Sequence, residues 1–166
     1  MLFNILVVGA LLSSVSAVPA PVPQAGTPAT TIQGYKFSVT KFKVGCFRGS
    51  KLGCTYGFDV QGEAFGSAPN RVPPFAAYCE SDTGEGGAYV DCALNDSGIA
   101  SRKVAAKLLP TDQSQLETVG LEVSYQFNSQ DEPNTAWKLT GSARAAINID
   151  VPSLTIDATS SEKLKI

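Results

Sequence analysis

Histidine is absent from this chain of 166 residues. That absence removes the Ser-His-Asp and Cys-His nucleophile systems, which depend on an imidazole. It also removes His-containing zinc sites and His-ligated haem. The chemistry left is that of carboxylates, lysine, tyrosine or metal–oxygen coordination. Methionine occurs once, at Met1, and tryptophan once, at Trp137. Charge is sparse: 13 Lys and Arg against 15 Asp and Glu give a net charge of −2, which selects no partner class by bulk electrostatics. After the N-terminus no apolar run approaches the ~20 residues that span a bilayer, so no membrane span is expected.

The chain opens on an apolar run, MLFNILVVGALL, followed by Ser13-Ser14-Val15-Ser16-Ala17. Val15 and Ala17 suit the −3 and −1 positions of signal-peptidase cleavage, and the run is too short for an anchor. Residues 1–17 therefore read as a signal peptide, and the protein as secreted and extracellular. Removing 17 of the 166 residues leaves 149, enough for one domain with a sizeable core. Residues 18–34 are uncharged and hold Pro19, Pro21, Pro23 and Pro28, so they read as a flexible Pro-rich arm.

Period-two alternation begins at Tyr35, the mark of half-buried strands. Tyr35, Phe37 and Val39 share one phase. The phase slips at Thr40-Lys41, which predicts a β-bulge, and Phe42, Val44 and Cys46 carry it on. Cys54, Tyr56, Phe58 and Val60 form a second strand beyond the turn FRGSKLG. Asn70 to Pro74 reads as a loop. Phe75, Ala77 and Cys79, then Val90, Cys92 and Leu94, form a second hairpin. Val104, Ala106 and Leu108 suggest a fifth strand, although Ala, Lys and Leu leave a helix open over Arg102 to Leu109. Val119 to Phe127 is a sixth strand and Trp137 to Ile149 a long seventh. Leu154 and Ile156 suggest an eighth. The expectation is an all-β domain over residues 35–157, a single antiparallel β-barrel or sandwich of about seven or eight strands stapled by disulfides. Residues 158–166 are polar and read as a frayed tail. In the long strand, Gly141, Ala143 and Ala145 leave the inner face small, which suits either a sharp bend or a ligand cavity, and curvature is the preferred reading.

The four cysteines are separated by seven, twenty-four and twelve residues, with no CxxC pair, so two disulfides are expected rather than a zinc site. Three connectivities are open. Adjacent-strand geometry favours Cys46 with Cys54 and Cys79 with Cys92, because opposed Cβ atoms on paired strands lie near disulfide distance.

Among candidate sites, the acidic middle comes first: Asp59, Glu63, Glu80, Asp82, Glu85, Asp91 and Asp96. Glu80 and Asp82 are two apart on one strand, about 7 Å by strand rise, near the separation of inverting glycosidase carboxylates. Adjacent acids are common on soluble sheets, and the pair is read as a solvated face; no catalytic residue is assigned. DTGEGG lacks the alternating ligands of a calcium loop, so no metal and no cofactor are expected. Lys36, Lys41, Lys43, Arg48 and Lys51 make the first hairpin basic. The interleaved aromatics fall on the buried phase, so a solvated strand face is preferred and no nucleic-acid partner is expected. Asn95-Asp96-Ser97 is the one glycosylation sequon, which makes Asn95 a candidate acceptor. Trp137 reads as core or rim.

The leader, the short arm, YKFSVTKF, CTYGFDVQG and the hairpin AYCESDTGEGGAYVDC together resemble the fungal family of the major Alternaria allergen. That family includes secreted elicitors of plant hypersensitive responses, and the resemblance spans roughly Tyr35 to Ile149. It implies a compact β-barrel without established catalysis and a link to plant defence proteins, and a host or cell-wall protein is the expected partner. In some members it implies a small apolar ligand. Cys79 and Cys92 match the family's first disulfide hairpin. The family places its second pair in later strands, whereas Cys46 and Cys54 come early. The arm also lacks the extra cysteine some members use to dimerise, so no disulfide-linked dimer is expected. The expected function is that of a non-catalytic effector or elicitor. The alternatives are a carrier of a small apolar ligand inside the barrel and, remotely, a carboxylate-based glycosidase.

Overall fold

The computed structural model describes residues 31–47, 53–82, 86–95, 101–110, 117–147 and 150–166. The expected leader and most of the Pro-rich arm lie outside the described residues. Those described contain strands and no helix: β1 (Lys36–Phe47), β2 (Gly53–Gly62), β3 (Phe75–Ser81), β4 (Val90–Asp91), β5 (Ala93–Leu94), β6 (Lys103–Leu109), β7 (Thr118–Asn128), β8 (Thr135–Ala146) and β9 (Val151–Lys165). The helix left open at Arg102 to Leu109 is therefore strand β6. The strands form one antiparallel sheet in the order β4-β6-β7-β8-β9-β1-β2-β3-β5, nearly closed into a barrel.

Alternation explains most of these elements. Along β2, Cys54, Tyr56, Phe58 and Val60 are buried while their neighbours face outward. In β1 the pairing with β2 shifts between Thr40 and Lys43, and Lys41 takes a positive φ of 54°. The inserted residue returns Phe42 and Val44 to the face that already buries Phe37 and Val39. Cys46 and Cys54 are directly opposed and bonded, with Cα atoms 4.1 Å apart.

Two segments turn this sheet into a barrel by changing partners. The first is β9. Its leading half, Val151 to Asp157, pairs with β1, and its trailing half, Ala158 to Lys165, pairs with β8. At the changeover the β8–β9 register shifts between Thr140 and Gly141, and Ala158 donates its amide to the Tyr35 carbonyl at 2.8 Å. A Cβ on Gly141 would stand 2.4 Å from the Asp157 carbonyl oxygen, so only glycine lets the chain turn this corner. The close approach at Gly141 is thus that of a neighbouring strand.

The second segment is Val90 to Leu94. β4 pairs with β6, matching Val90 to Ala106, and β5 pairs with β3, matching Leu94 to Ala77. Cys92 stands between them. Its amide donates to the Val104 carbonyl at 2.9 Å, and its sulfur is bonded to Cys79 of β3. What alternation reads as one strand is therefore two, which accounts for the ninth strand.

The C-terminal tail corrects the expectation of fraying. Residues 158–165 are the second half of β9, laddered to β8 from Gly141 to Thr135. Their polarity marks a strand that buries little, held by backbone bonds rather than by side chains.

Large side chains fill the interior. Trp137, Tyr35, Tyr125, Phe37, Phe42, Phe58 and Phe127 are each less than 2% exposed. Tyr125 lies against Phe75 and Phe127 with ring centroids 4.2 and 5.0 Å away. Its hydroxyl donates to the Pro73 carbonyl at 3.0 Å, and the Arg102 guanidinium donates to the Pro74 carbonyl. The Pro-containing loop before β3 is thereby tied to β7 and to the approach to β6.

The Gly141 corner predicts a contrast between two glycines. Gly141→Ala should cost about 1–3 kcal/mol in denaturant unfolding, as overpacking against fixed backbone does. Gly53→Ala should leave the midpoint unchanged, since a Cβ there meets nothing within 4 Å.

Candidate functional site

The described charged residues singled out in the sequence are dispersed over the barrel exterior. Asp59 faces outward on β2 and pairs with Lys41 at 3.0 Å, and Asp91 pairs with Lys103 at 3.1 Å. Glu80 is exposed on β3 and Asp82 is exposed just past its end. These two help to line an open groove of about 500 Å³ with Thr55, Tyr56, Ser81 and Val90. Glu85 and Asp96 lie outside the described residues. No group of three His, Cys, Asp or Glu side chains among the described residues is placed to hold a metal ion.

The described lysines of the basic hairpin are likewise spoken for. Lys36 pairs with Asp157 at 2.7 Å, Lys41 with Asp59, and Lys43 with Asp150 at 3.3 Å. Arg48 and Lys51 lie outside the described residues. Asn95 is exposed, and its backbone N–H donates to the Ala76 carbonyl at 2.9 Å. Trp137 is core, 1% exposed.

A polar cluster on the β6–β8 exterior went unnoticed in the sequence. Tyr89 donates its hydroxyl to Glu122 at 2.5 Å, and Lys107 pairs with the same carboxylate at 2.9 Å. The Lys107 ammonium stands 4.5 Å and the Lys138 ammonium 5.6 Å from the centre of the Tyr89 ring. Burial, and then the bond to Glu122 and its charge, push the Tyr89 phenol far above its ordinary range. Burial would raise Glu122 too, but the Tyr89 hydrogen bond and the Lys107 and Lys138 charges outweigh it and hold the carboxyl below its ordinary value. The cluster binds the segment before β4 onto β6 and β7.

The other grouping centres on β9, β1 and β2 and the loop that follows β2. A groove of about 400 Å³ is bordered by Phe65 and by the outward side chains of Lys36, Ser38, Gln61, Glu63 and Thr155. Phe65 is 39% exposed and sits edge-on to Tyr35, with centroids 5.8 Å apart. Its backbone bridges to Val72 by two hydrogen bonds, which fixes the loop after β2. One register row further along the same face stands Tyr78, 41% exposed and opposite Asp59. The sequence carried this signal: in a strand that buries Phe75, Ala77 and Cys79, Tyr78 is a large ring on the solvent phase.

Beneath the groove, Tyr35 is 1% exposed and its hydroxyl has no hydrogen-bond partner among the described residues. A Cβ on Gly62 would stand 1.9 Å from that hydroxyl, so glycine makes the space that the phenol occupies. Burial, then Tyr125 and Glu63, push its pKa far above the ordinary tyrosine range.

Two outcomes follow. Tyr35→Phe keeps the ring contacts and removes an unpaired buried hydroxyl, so thermal unfolding should show a stability unchanged or raised by up to about 1 kcal/mol. Glu122→Gln should cost about 1–2 kcal/mol at neutral pH. A carboxyl whose folded pKa is depressed contributes stability above its unfolded pKa and loses it as pH falls through the folded value. The gap between wild type and Glu122→Gln should therefore close as pH falls below the ordinary glutamate range, and a gap independent of pH would contradict the assignment.

Comparison of the chain with protein-family models, with curated proteins and with solved structures found no match.

Proposed function

We propose that this is a secreted, non-catalytic effector or elicitor that acts outside a fungal cell by binding host or cell-wall components. The carrying observation is where recognition-capable chemistry lies. The described interior is occupied by buried aromatic and aliphatic side chains, while the groove and the two large aromatic rings exposed among the described residues, Phe65 and Tyr78, lie outside it, on a barrel held by two disulfides. A filled interior weighs against carriage of an apolar ligand inside the barrel. The intramolecular disulfides accord with an oxidising compartment. The elicitor assignment rests on the family resemblance of the leader, YKFSVTKF, CTYGFDVQG and the Cys79–Cys92 hairpin.

The test is infiltration of purified, oxidised protein into plant leaf tissue, with incubation of the same preparation on wall polysaccharides. The expected result is an oxidative burst and local cell death, without release of reducing sugar, and the same response from the double variant Glu80→Gln/Asp82→Asn. Absence of any leaf response overturns the elicitor reading. Release of sugar that is abolished in the double variant replaces it with the glycosidase.

A further inference from the structure

We propose that the Cys79–Cys92 disulfide is a redox latch: a dithiol that reduces it parts the segment Val90 to Leu94 from β3 and opens the barrel at that seam.

Ladder length singles out the seam. β7 and β8 are matched all the way from Thr118 with Ala146 to Asn128 with Ala136. β3 and β5 are matched only at Ala77 with Leu94 and Tyr78 with Ala93, and the Asn95 amide adds a bond to the Ala76 carbonyl at 2.9 Å. On its other side the segment is better held. Val90 and Asp91 are matched to Ala106 and Ala105, and the Gly86 and Cys92 amides donate to the Leu108 and Val104 carbonyls at 3.0 and 2.9 Å. Asp91 pairs with Lys103, and Tyr89 is bonded to Glu122. Loss of the disulfide therefore leaves the segment on β6 and frees it from β3.

Opening stays local because the rest of β3 is tied down. The Tyr125 hydroxyl donates to the Pro73 carbonyl and the Arg102 guanidinium to that of Pro74, and Phe75 packs on Tyr125. β3 is also matched to β2 from Phe75 with Gly62 to Ser81 with Tyr56. The segment lifts away and leaves Ala76 to Tyr78 as an open strand edge, with backbone groups ready to pair with another chain.

The other disulfide has no such role. Cys46 and Cys54 are register partners inside the β1–β2 ladder, flanked by Gly45 with Thr55 and Phe47 with Gly53. Cutting that bond removes a staple from strands that the ladder still holds together.

Access sets the order of the chemistry. Cys79 is 1% exposed, whereas Cys92 is half-buried. A thiolate of the dithiol attacks the Cys92 sulfur, and the electron pair of the S–S bond leaves on the Cys79 sulfur, which takes up a proton. The second thiol of the reductant, as thiolate, then attacks the reductant sulfur joined to Cys92. Cys92 leaves with the electron pair and is protonated. The protein disulfide has become a pair of thiols, and the dithiol has been oxidised to a disulfide.

The experiment follows amide exchange by NMR in the full oxidised protein, before and after addition of dithiothreitol as the dithiol, with mass spectrometry after alkylation to score reduction. On reduction the Asn95 amide should exchange faster by about tenfold or more, while the Cys92 amide and amides in the middle of β2 keep their rates. Reoxidation should restore slow exchange at Asn95. The Cys46→Ser/Cys54→Ser variant should respond as wild type does. The Cys79→Ser/Cys92→Ser variant should show fast Asn95 exchange without any reductant; should a variant fail to fold, the wild-type comparison decides alone. The inference is overturned if dithiothreitol does not reduce Cys79–Cys92 in the folded protein, or if reduction leaves Asn95 unchanged. It is equally overturned if the β2 amides lose protection together with Asn95, since the bond is then a staple of the whole fold, if the Cys92 amide opens first, or if the response disappears in Cys46→Ser/Cys54→Ser.

Discussion

Cys92 donates its amide to β6 and is bonded through sulfur to β3, so one residue ties together the two ends of a nine-stranded sheet. Its counterpart lies at the changeover of β9 from β1 to β8, where Gly141 lets the Asp157 carbonyl approach. Between these corners the barrel is two antiparallel halves, one built on β1, β2, β3 and β5 and the other on β4, β6, β7 and β8. The aromatic layer inside is shared by both. Phe37 and Phe75 come from the first half and Tyr125 and Phe127 from the second, in successive ring contacts. Burial of that layer supplies the driving force, and the corners fix the geometry in which it is buried.

Closure also decides where binding can occur. A sheet wrapped around large side chains offers its outer face, and a nearly closed sheet has few free edges for another strand to join. On the β1–β3 side the lysines are paired with carboxylates and the rings of Phe65 and Tyr78 are left to solvent. On the β6–β8 side Tyr89 is covered by Lys107 and Lys138 and bonded to Glu122. The same residue type is thus structural on one face and available on the other, and the difference is whether neighbouring side chains are long enough to cover the ring.

Much of this architecture is legible in the sequence, because period-two alternation reports directly which side chains face the core. The bulge at Thr40 to Lys43 shows as a slip in phase, and the small run at Gly141 marks a bend. What alternation does not encode is partner choice. Val90, Cys92 and Leu94 keep a single phase through a point where the hydrogen-bonding neighbour changes from β6 to β3. The second half of β9 reads as a frayed tail for a related reason: Thr159, Ser160 and Glu162 are polar because they face solvent, and the backbone ladder to β8 leaves no compositional trace. The candidate site was partly legible. The acids draw notice by number, yet Asp59 and Asp91 are paired with lysines, whereas Tyr78 is not among the residues singled out in the sequence, and its one available mark is its place on the solvent phase of β3.

The central claim is that the two corners make one cooperative barrel. Native-state hydrogen exchange at the Cys92 and Ala158 amides, compared with amides in the middle of β2, tests it most directly. The account predicts that both corner amides exchange only through global unfolding, with the same opening free energy and denaturant dependence as β2. Exchange of the Cys92 amide through a local opening while β2 remains protected would contradict it, showing halves that part at the seam independently of the core.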